Sequence, residues 1–293
     1  MTDDFKAVDF EGFSAIAKAI GDFPFNFCDF TPYVMLTWQK YYSSAFAVLD
    51  GTPILRHTVD GEYCYTPLTS DPIKGAKSLL KSKDSVRMSL LTEKQVKALE
   101  KVFLVSDVKS DDGWSDYIYR HSDLAELSGK RYAGQRNHIN KLISLYPDAS
   151  YEEITSHNLP EVLAFYKELT ADTSELDETA LYERDRLMEY LDRGFYRLTL
   201  SGGLIRAGGR VISFAFGEVI NGMLFVHIEK ARRDIQGAYQ MIVREFARHN
   251  PAELINREED MGIMGLRTSK LSYHPIRLEK KYKVRIEEND ILR

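Results

Sequence analysis

Cysteine is scarce in this chain: Cys28 and Cys64 are the two among 293 residues, and neither belongs to a CxxC pair or a Cys/His cluster. Spacing of that kind excludes a disulfide framework and argues against a zinc site; the expectation is two half-buried thiols in a reducing compartment, with no metal. No stretch approaches the roughly 20 consecutive apolar residues that a membrane helix needs. The opening Met1-Thr2-Asp3-Asp4-Phe5-Lys6 is acidic and leads into no apolar run, so no signal peptide is read there and a cytoplasmic protein is expected. Positive charge is not in excess either. The formal net charge of −5 excludes a dedicated nucleic-acid coat protein, while leaving room for a local basic groove.

What is present is the balance of an ordinary globular protein. Hydrophobic residues make up 44% and charged residues 28%, and the length suggests two domains. Aromatic residues include 17 Tyr and 15 Phe, so a buried core will carry hydroxyls that need partners. The first half opens with a predicted helix over Glu11–Ile20. Phe23, Phe25, Phe27, Phe30, Tyr33, Trp38, Tyr41 and Tyr42 follow, read as core or as an interdomain seam. Ala45–Leu49, Pro53–Thr58 and Glu62–Pro67 read as strands joined at Asp50-Gly51 and Asp60-Gly61. Amphipathic segments over Ile73–Lys81 and Thr92–Val102 complete an α/β unit.

The second half is more legible. Tyr151–Ile154 reads as a strand, and Asn158, Pro160 and Glu161 mark a helix start. A second helix over Glu178–Arg193 should stop at Gly194. Strands Leu204–Ala207, Arg210–Ile220 and Met223–Ala231 are separated by Gly208-Gly209 and Asn221-Gly222, the composition of tight hairpins, so they should form an antiparallel meander. A helix over Ala238–His249, a strand at Glu253–Asn256 and a last strand at Lys281–Ile286 follow. The order β-α-α-β-β-β-α-β-α-β is that of the GNAT acyltransferase fold, and the first half echoes part of it. The expected architecture is α+β: tandem GNAT-like domains over 1–148 and 149–293, each a mostly antiparallel sheet flanked by helices.

Three segments carry the chemistry. In the first, a strand ends at Glu229-Lys230-Ala231, a loop turns through Arg233, Gln236 and Gly237, and a helix begins at Ala238-Tyr239. The first amides of a helix lack internal partners and face outward, a geometry that receives phosphate. Arg233 and Ala238 fit the coenzyme A pattern of GNAT enzymes, whereas Gln236 stands where its first glycine belongs. The second runs through Asn256, Arg257, Glu258, Glu259 and Asp260, then Gly262 and Gly265, to Arg267, Lys270 and Tyr273, just after a short strand where ligands collect. The third, Gly129 to Lys141, holds Lys130, Arg131, Arg136, Asn137 and Lys141 with no acid. It suits a phosphate-bearing partner or, equally, a helix whose cations pair within the protein.

The strings GKRYAGQRNHINK, HIEKARRDIQGAYQ and NREEDMGIMGLRTSKLSYHP resemble those of bacterial domains grouped with the phosphatidylglycerol lysyltransferase C-terminal domain, over about Phe10 to Tyr282. Members of that group resemble tandem GNAT folds and are similar to the Fem-type aminoacyltransferases. The resemblance implies transfer of an aminoacyl group from aminoacyl-tRNA, or of an acyl group from a thioester, to an amine or hydroxyl. The membrane-spanning module of the characterised lysyltransferases has no counterpart in this sequence, so the fold carries over and the lipid acceptor does not. Expected roles are Glu229 as base or acceptor-amine ligand and Tyr273 as leaving-group acid. Arg233, Gln236, Gly237, Ala238, Tyr239, Arg267 and Lys270 would hold the co-substrate, aminoacyl-tRNA or acyl-CoA, with no tightly bound cofactor. Arg136, Asn137, Asn256, Arg257, Glu258 and Asp260 would hold the acceptor. His227 is read as packed core. The partners implied are a tRNA acceptor end and peripheral anionic lipid. Two alternatives stay open: an acyl-CoA-dependent N-acyltransferase acting on a small amine, and a silent phospholigand-binding module.

Overall fold

The computed structural model describes residues 5–9, 16, 25–174, 177–191 and 200–289. Apart from Ile16, the helix expected over Glu11–Ile20 lies outside them, as do Phe23 and the expected helix end at Gly194. The chain forms two compact units. One comprises Met1–Asp116, Glu259–Met264 and Leu278–Arg293, the other Tyr117–Glu258 and Gly265–Arg277.

In the first unit β1 (Lys6–Ala7), β2 (Ala45–Leu49), β3 (Thr52–Val59) and β4 (Glu62–Pro67) run antiparallel in order. The turns at Asp50-Gly51 and Asp60-Gly61 hold both residues at positive φ, the conformation of a two-residue hairpin that matches strand twist. Helix α2 (Ile73–Leu80), after α1 (Pro32–Thr37), crosses over to β5 (Ser85–Leu91), which joins β4 in parallel at Tyr65 and Met88. Helix α3 (Glu93–Leu99) is fixed at its start by a capping box between Thr92 and Gln95 and leads to β6 (Phe103–Lys109). Ile54, Leu79, Met88, Leu91, Leu99 and Ile286 meet in the core beneath.

The second unit repeats this plan. Strand β7 (Asp116–Arg120) precedes helices α4 (His121–Glu126) and α5 (Ala133–Leu145), and β8 (Ser150–Glu153) precedes α6 (Leu159–Leu169) and α7 (Glu178–Glu189). The meander β9 (Ser201–Ala207), β10 (Arg210–Ile220) and β11 (Met223–Ala231) then leads through α8 (Ala238–His249) to β12 (Leu254–Asn256), parallel to β11. Strand β10 is apolar almost throughout because both its faces are covered, with Phe214 against Phe165 and Tyr166 at centroid distances of 6.0 and 5.8 Å. Helix α8 turns Ala238, Ile242 and Phe246 inward at one-turn spacing. Helix α9 (Met264–Leu271), β13 (Arg277–Glu279) and β14 (Tyr282–Glu288) end the described chain.

The two sheets have equivalent orders, β1-β2-β3-β4-β5-β14-β6 and β13-β7-β12-β11-β10-β9-β8. In each, the place beside the parallel strand is filled from the other half of the sequence. Strand β14 lies between β5 and β6, and β7 lies beside β12. The division expected at 148/149 therefore falls inside the second unit, which takes β7 and α5 from the first half and yields β14 in return. The expected tandem arrangement of two mostly antiparallel sheets flanked by helices is what the chain adopts. Among the described residues no helix is long and apolar enough to cross a membrane.

Candidate functional site

Strands β11 and β12 are parallel, so their C-terminal ends emerge on the same side of the second sheet. Glu229 stands near the end of β11, and Arg257 directly follows β12. Nη2 of Arg257 donates to Oε2 of Glu229 at 2.6 Å and to the Tyr239 hydroxyl at 2.6 Å, and that hydroxyl donates to the same carboxylate oxygen at 3.0 Å. The Arg257 and Glu229 side chains are 1% and 10% exposed. Around the guanidinium carbon stand the rings of Tyr273, Tyr119 and Tyr239, at 4.8, 5.6 and 5.8 Å. A desolvated cation over aromatic faces gains roughly 2 kcal/mol per contact. Burial by itself would weaken the charge of Arg257, but Glu229 and the tyrosines outweigh it and hold its proton well above the ordinary arginine range.

Two donors in this cage are left over. Nη1 of Arg257 and the hydroxyl of Tyr273 are buried with no hydrogen-bond partner among the described residues. Burial pushes the Tyr273 phenol far above the usual tyrosine range, with Arg257 opposing, and raises Tyr239 to about 12. Both keep their protons at neutral pH. Tyr273, expected as an acid for the leaving group, is therefore fitted to donate a hydrogen bond and poorly fitted to release a proton.

Lys270 of α9 donates through Nζ to the Arg257 carbonyl at 2.5 Å and lies 5.7 Å from the Tyr117 ring. Its own carbonyl accepts from the Tyr119 hydroxyl at 2.8 Å. Arg267 is half-buried on the same helix.

The turn before α8 differs from expectation. Gly237 has φ of +93°, and a Cβ there would lie 2.2 Å from the His138 carbonyl oxygen and 2.9 Å from Leu142 Cβ. Helix α5 covers that face of the turn, Gly237 and Ala238 are buried, and Gln236 bonds through Nε2 to His138 Nδ1 at 3.0 Å. The glycine is required by close packing against α5 and by its left-handed backbone, so the face of the turn toward which a Cβ would point is closed to a ligand. Arg233 is exposed on the loop.

His227 is not simply packed core. Its Nδ1 meets Glu258 Oε1 at 2.7 Å and its Nε2 meets Glu218 Oε1 at 3.0 Å, with the imidazole fully buried. Burial pushes the imidazole pKa down, but the hydrogen bonds and charges of Glu218 and Glu258 outweigh this and raise it to about 9. Glu258 thus serves a buried ion pair, and Asn256 Oδ1 accepts from the Glu258 amide at 2.7 Å. Asp260 belongs to the first unit and is fully buried, its Oδ1 accepting from the Gly262 amide at 2.8 Å.

Two of the four cations in the basic string are engaged in local structure, while Lys130 and Lys141 are exposed. Arg136 Nη1 donates to the carbonyl of Leu127, the left-handed residue that ends α4, and to that of Gly129 at 2.7 Å. Arg131 pairs with Asp123 at 2.8 Å, and Asn137 is exposed on α5. Arg136 acts as a cap rather than as a free phosphate ligand.

The first unit holds a buried charge cluster that no local motif announces. Nζ of Lys281, 6% exposed, lies 2.5 Å from Asp29, 2.7 Å from Asp116 and 3.5 Å from Glu259. Cys28 adds a thiol 3.1 Å from Glu259, and burial followed by the neighbouring carboxylates raises that thiol well above its usual range. Cys28, Asp29 and Asp116 place ligand-type atoms within 4.8 Å of one another, but the Lys281 ammonium sits among the carboxylates as their counterion. Both cysteines are free and fully buried, not half-buried.

A crystallised protein of unknown function from Bacteroides thetaiotaomicron is 32% identical, with 97% of this chain and 99% of that chain covered and a TM-score of 0.84. FemX is 10% identical over 92% of this chain and 95% of its own, with a TM-score of 0.60. L-PGS of Bacillus licheniformis is 13% identical over 84% of each chain, with a TM-score of 0.55. At those identities FemX and L-PGS bear on the fold alone, which is tandem GNAT-like. The family profile described as phosphatidylglycerol lysyltransferase, C-terminal, matches residues 77–285, a span that takes in both units. The chain belongs to that family, and with it, at the coarse level, to the acyl and aminoacyl transferases.

Proposed function

We propose that the chain transfers an aminoacyl group from aminoacyl-tRNA to an amine or hydroxyl acceptor, at a centre formed by Glu229, Arg257, Tyr239 and Tyr273. The observation that carries this reading is the buried Glu229–Arg257 pair at the C-terminal ends of two parallel strands, enclosed by three tyrosines and bordered by Lys270. Glu229 is a charge partner of Arg257 and orients the guanidinium, a different role from that of a free base. The tyrosines exclude water, which strengthens every polar contact made inside. Arg267 and Lys270 supply positive charge on α9 for a phosphate-bearing donor.

Coenzyme A is the less favoured carrier. Its pyrophosphate would need the turn at Gly237, where α5 closes one face and Gln236 replaces a glycine. The test is release of the amino acid from charged tRNA by the wild type, Glu229→Gln and Lys270→Ala. Loss of turnover in both variants supports the site; unchanged turnover in both removes it.

A further inference from the structure

Among the described residues, Arg257 Nη1 and the Tyr273 hydroxyl have no acceptor; both residues are 2% exposed, and the guanidinium carbon lies 4.8 Å from the Tyr273 ring centre. Buried donors are rarely left unpaired, because desolvation without a compensating bond is costly. Two of them in one cage point to an oxygen that arrives from outside the chain. Resting on the transfer reading above, we propose that Arg257 Nη1 and the Tyr273 hydroxyl are paired donors for the carbonyl oxygen of the acyl group in transit, uncovered when the α9 segment moves aside.

The charge of the cage selects that oxygen. Glu229 already balances Arg257, so the pair offers hydrogen atoms rather than net positive charge. A carbonyl oxygen is neutral when it binds and negative in the tetrahedral intermediate, so donors of this kind hold it more tightly as the reaction proceeds. The acceptor's lone pair attacks the carbonyl carbon, and the C=O π pair moves onto the oxygen held by Arg257 and Tyr273. The carbonyl then re-forms, expelling the donor's ribose oxygen or thiolate sulfur, which ends with the proton that the acceptor loses.

The cover is α9. None of its residues is buried, and Leu266 and Leu271 are 41% and 48% exposed, whereas Arg257 and Tyr273 are almost sealed. It is held by hydrogen bonds rather than by a packed face. The Tyr119 hydroxyl donates to Lys270 O at 2.8 Å, Lys270 Nζ donates to Arg257 O at 2.5 Å, and Gln135 Nε2 donates to Ser272 O at 2.8 Å. A short helix with no buried side chain opens at low free-energy cost.

Two pairs of inert analogues test the proposal. One is 3′-aminoacylamino-3′-deoxyadenosine against its counterpart with CH2 in place of the carbonyl; the other is acetonyl-coenzyme A against propyl-coenzyme A. Affinities are measured for the wild type, Tyr273→Phe and Arg257→Lys, with Tm as the control for folding. The expected result is that the wild type binds the carbonyl member of one pair about tenfold more tightly. That preference is lost in both variants, and Tyr273→Phe melts no lower than the wild type, since its hydroxyl has no partner to lose. The pair showing the preference identifies the ester or the thioester as the source. Binding without a carbonyl preference, a preference that survives Tyr273→Phe, or a clear fall in Tm for that variant overturns the donor pair while leaving the transfer reading in place. Binding of neither pair overturns the transfer reading, and the inference with it.

Discussion

Arg257 and Glu229 form an ion pair with N–O distance 2.6 Å, both side chains at least nine-tenths buried, at the ends of strands that run side by side. A buried pair of this kind is a weak source of stability as a unit, yet breaking it by removing one partner is strongly destabilising. Glu229→Ala is expected to lower stability by roughly 3–5 kcal/mol, because it leaves the Arg257 charge uncompensated. Urea denaturation checks this; a loss below about 1 kcal/mol would place the pair among solvent-screened contacts.

Gly237→Ala separates packing from ligand binding. The substitution forces a Cβ toward the His138 carbonyl at a residue with φ of +93°. Left-handed strain alone costs on the order of 1–3 kcal/mol. The expected outcome is a lower Tm with per-molecule activity preserved in the folded fraction. A fall in activity at unchanged Tm would return this turn to the binding site.

The Glu218–His227–Glu258 cluster predicts a pH dependence of stability. The folded imidazole titrates at about 9, above its unfolded value, so its contribution is fully present below the unfolded pKa. It is lost as pH rises from the unfolded value through about 9, by on the order of 3 kcal/mol in total. His227→Gln should be less stable at pH 6 and much closer to wild type at pH 10. Parallel stability curves for the two proteins across that range would show that folding does not raise the imidazole pKa.

Much of the fold was legible because its signals are local. The hairpins at Asp60-Gly61 and Asn221-Gly222 take the left-handed pairs that their composition demands. The bounds of β4, β10, β11 and α8 follow the hydrophobic pattern directly. Strand exchange was hidden because pairing partners are not written in a strand's own residues: β14 looks the same whichever sheet receives it, and β7 was not recognised as a strand. Arg257, Lys270 and Tyr273 stand out in the sequence because they share one polar, glycine-bearing stretch after β12, and Glu229 because it is an acid near the end of β11, ahead of the Gly237 turn. Tyr119, which completes the cage, was missed together with β7. The packing role of Gly237 leaves no local trace because the helix that covers it lies far away in sequence, with Gln236 and His138 98 residues apart. The cluster around Lys281 joins residues up to 253 apart and leaves no local trace.

That cluster supplies a further prediction. Lys281 is the counterion to Asp29, Asp116 and Glu259 in the first unit. Lys281→Met leaves three carboxylates facing one another and should cost roughly 3–5 kcal/mol. A variant as stable as wild type by denaturant titration at neutral pH would show that another cation holds the carboxylates together.

The central claim is that the centre at Arg257 works on an acyl group carried by tRNA. Its most direct test supplies the protein with a pool of charged tRNAs and, separately, with a pool of acyl-coenzyme A thioesters, and measures loss of the labelled acyl group from each. The account predicts turnover with charged tRNA that falls at least tenfold in Arg257→Lys, and no turnover with the thioesters. Turnover confined to the thioesters, or an Arg257→Lys variant as active as the wild type on charged tRNA, would contradict it.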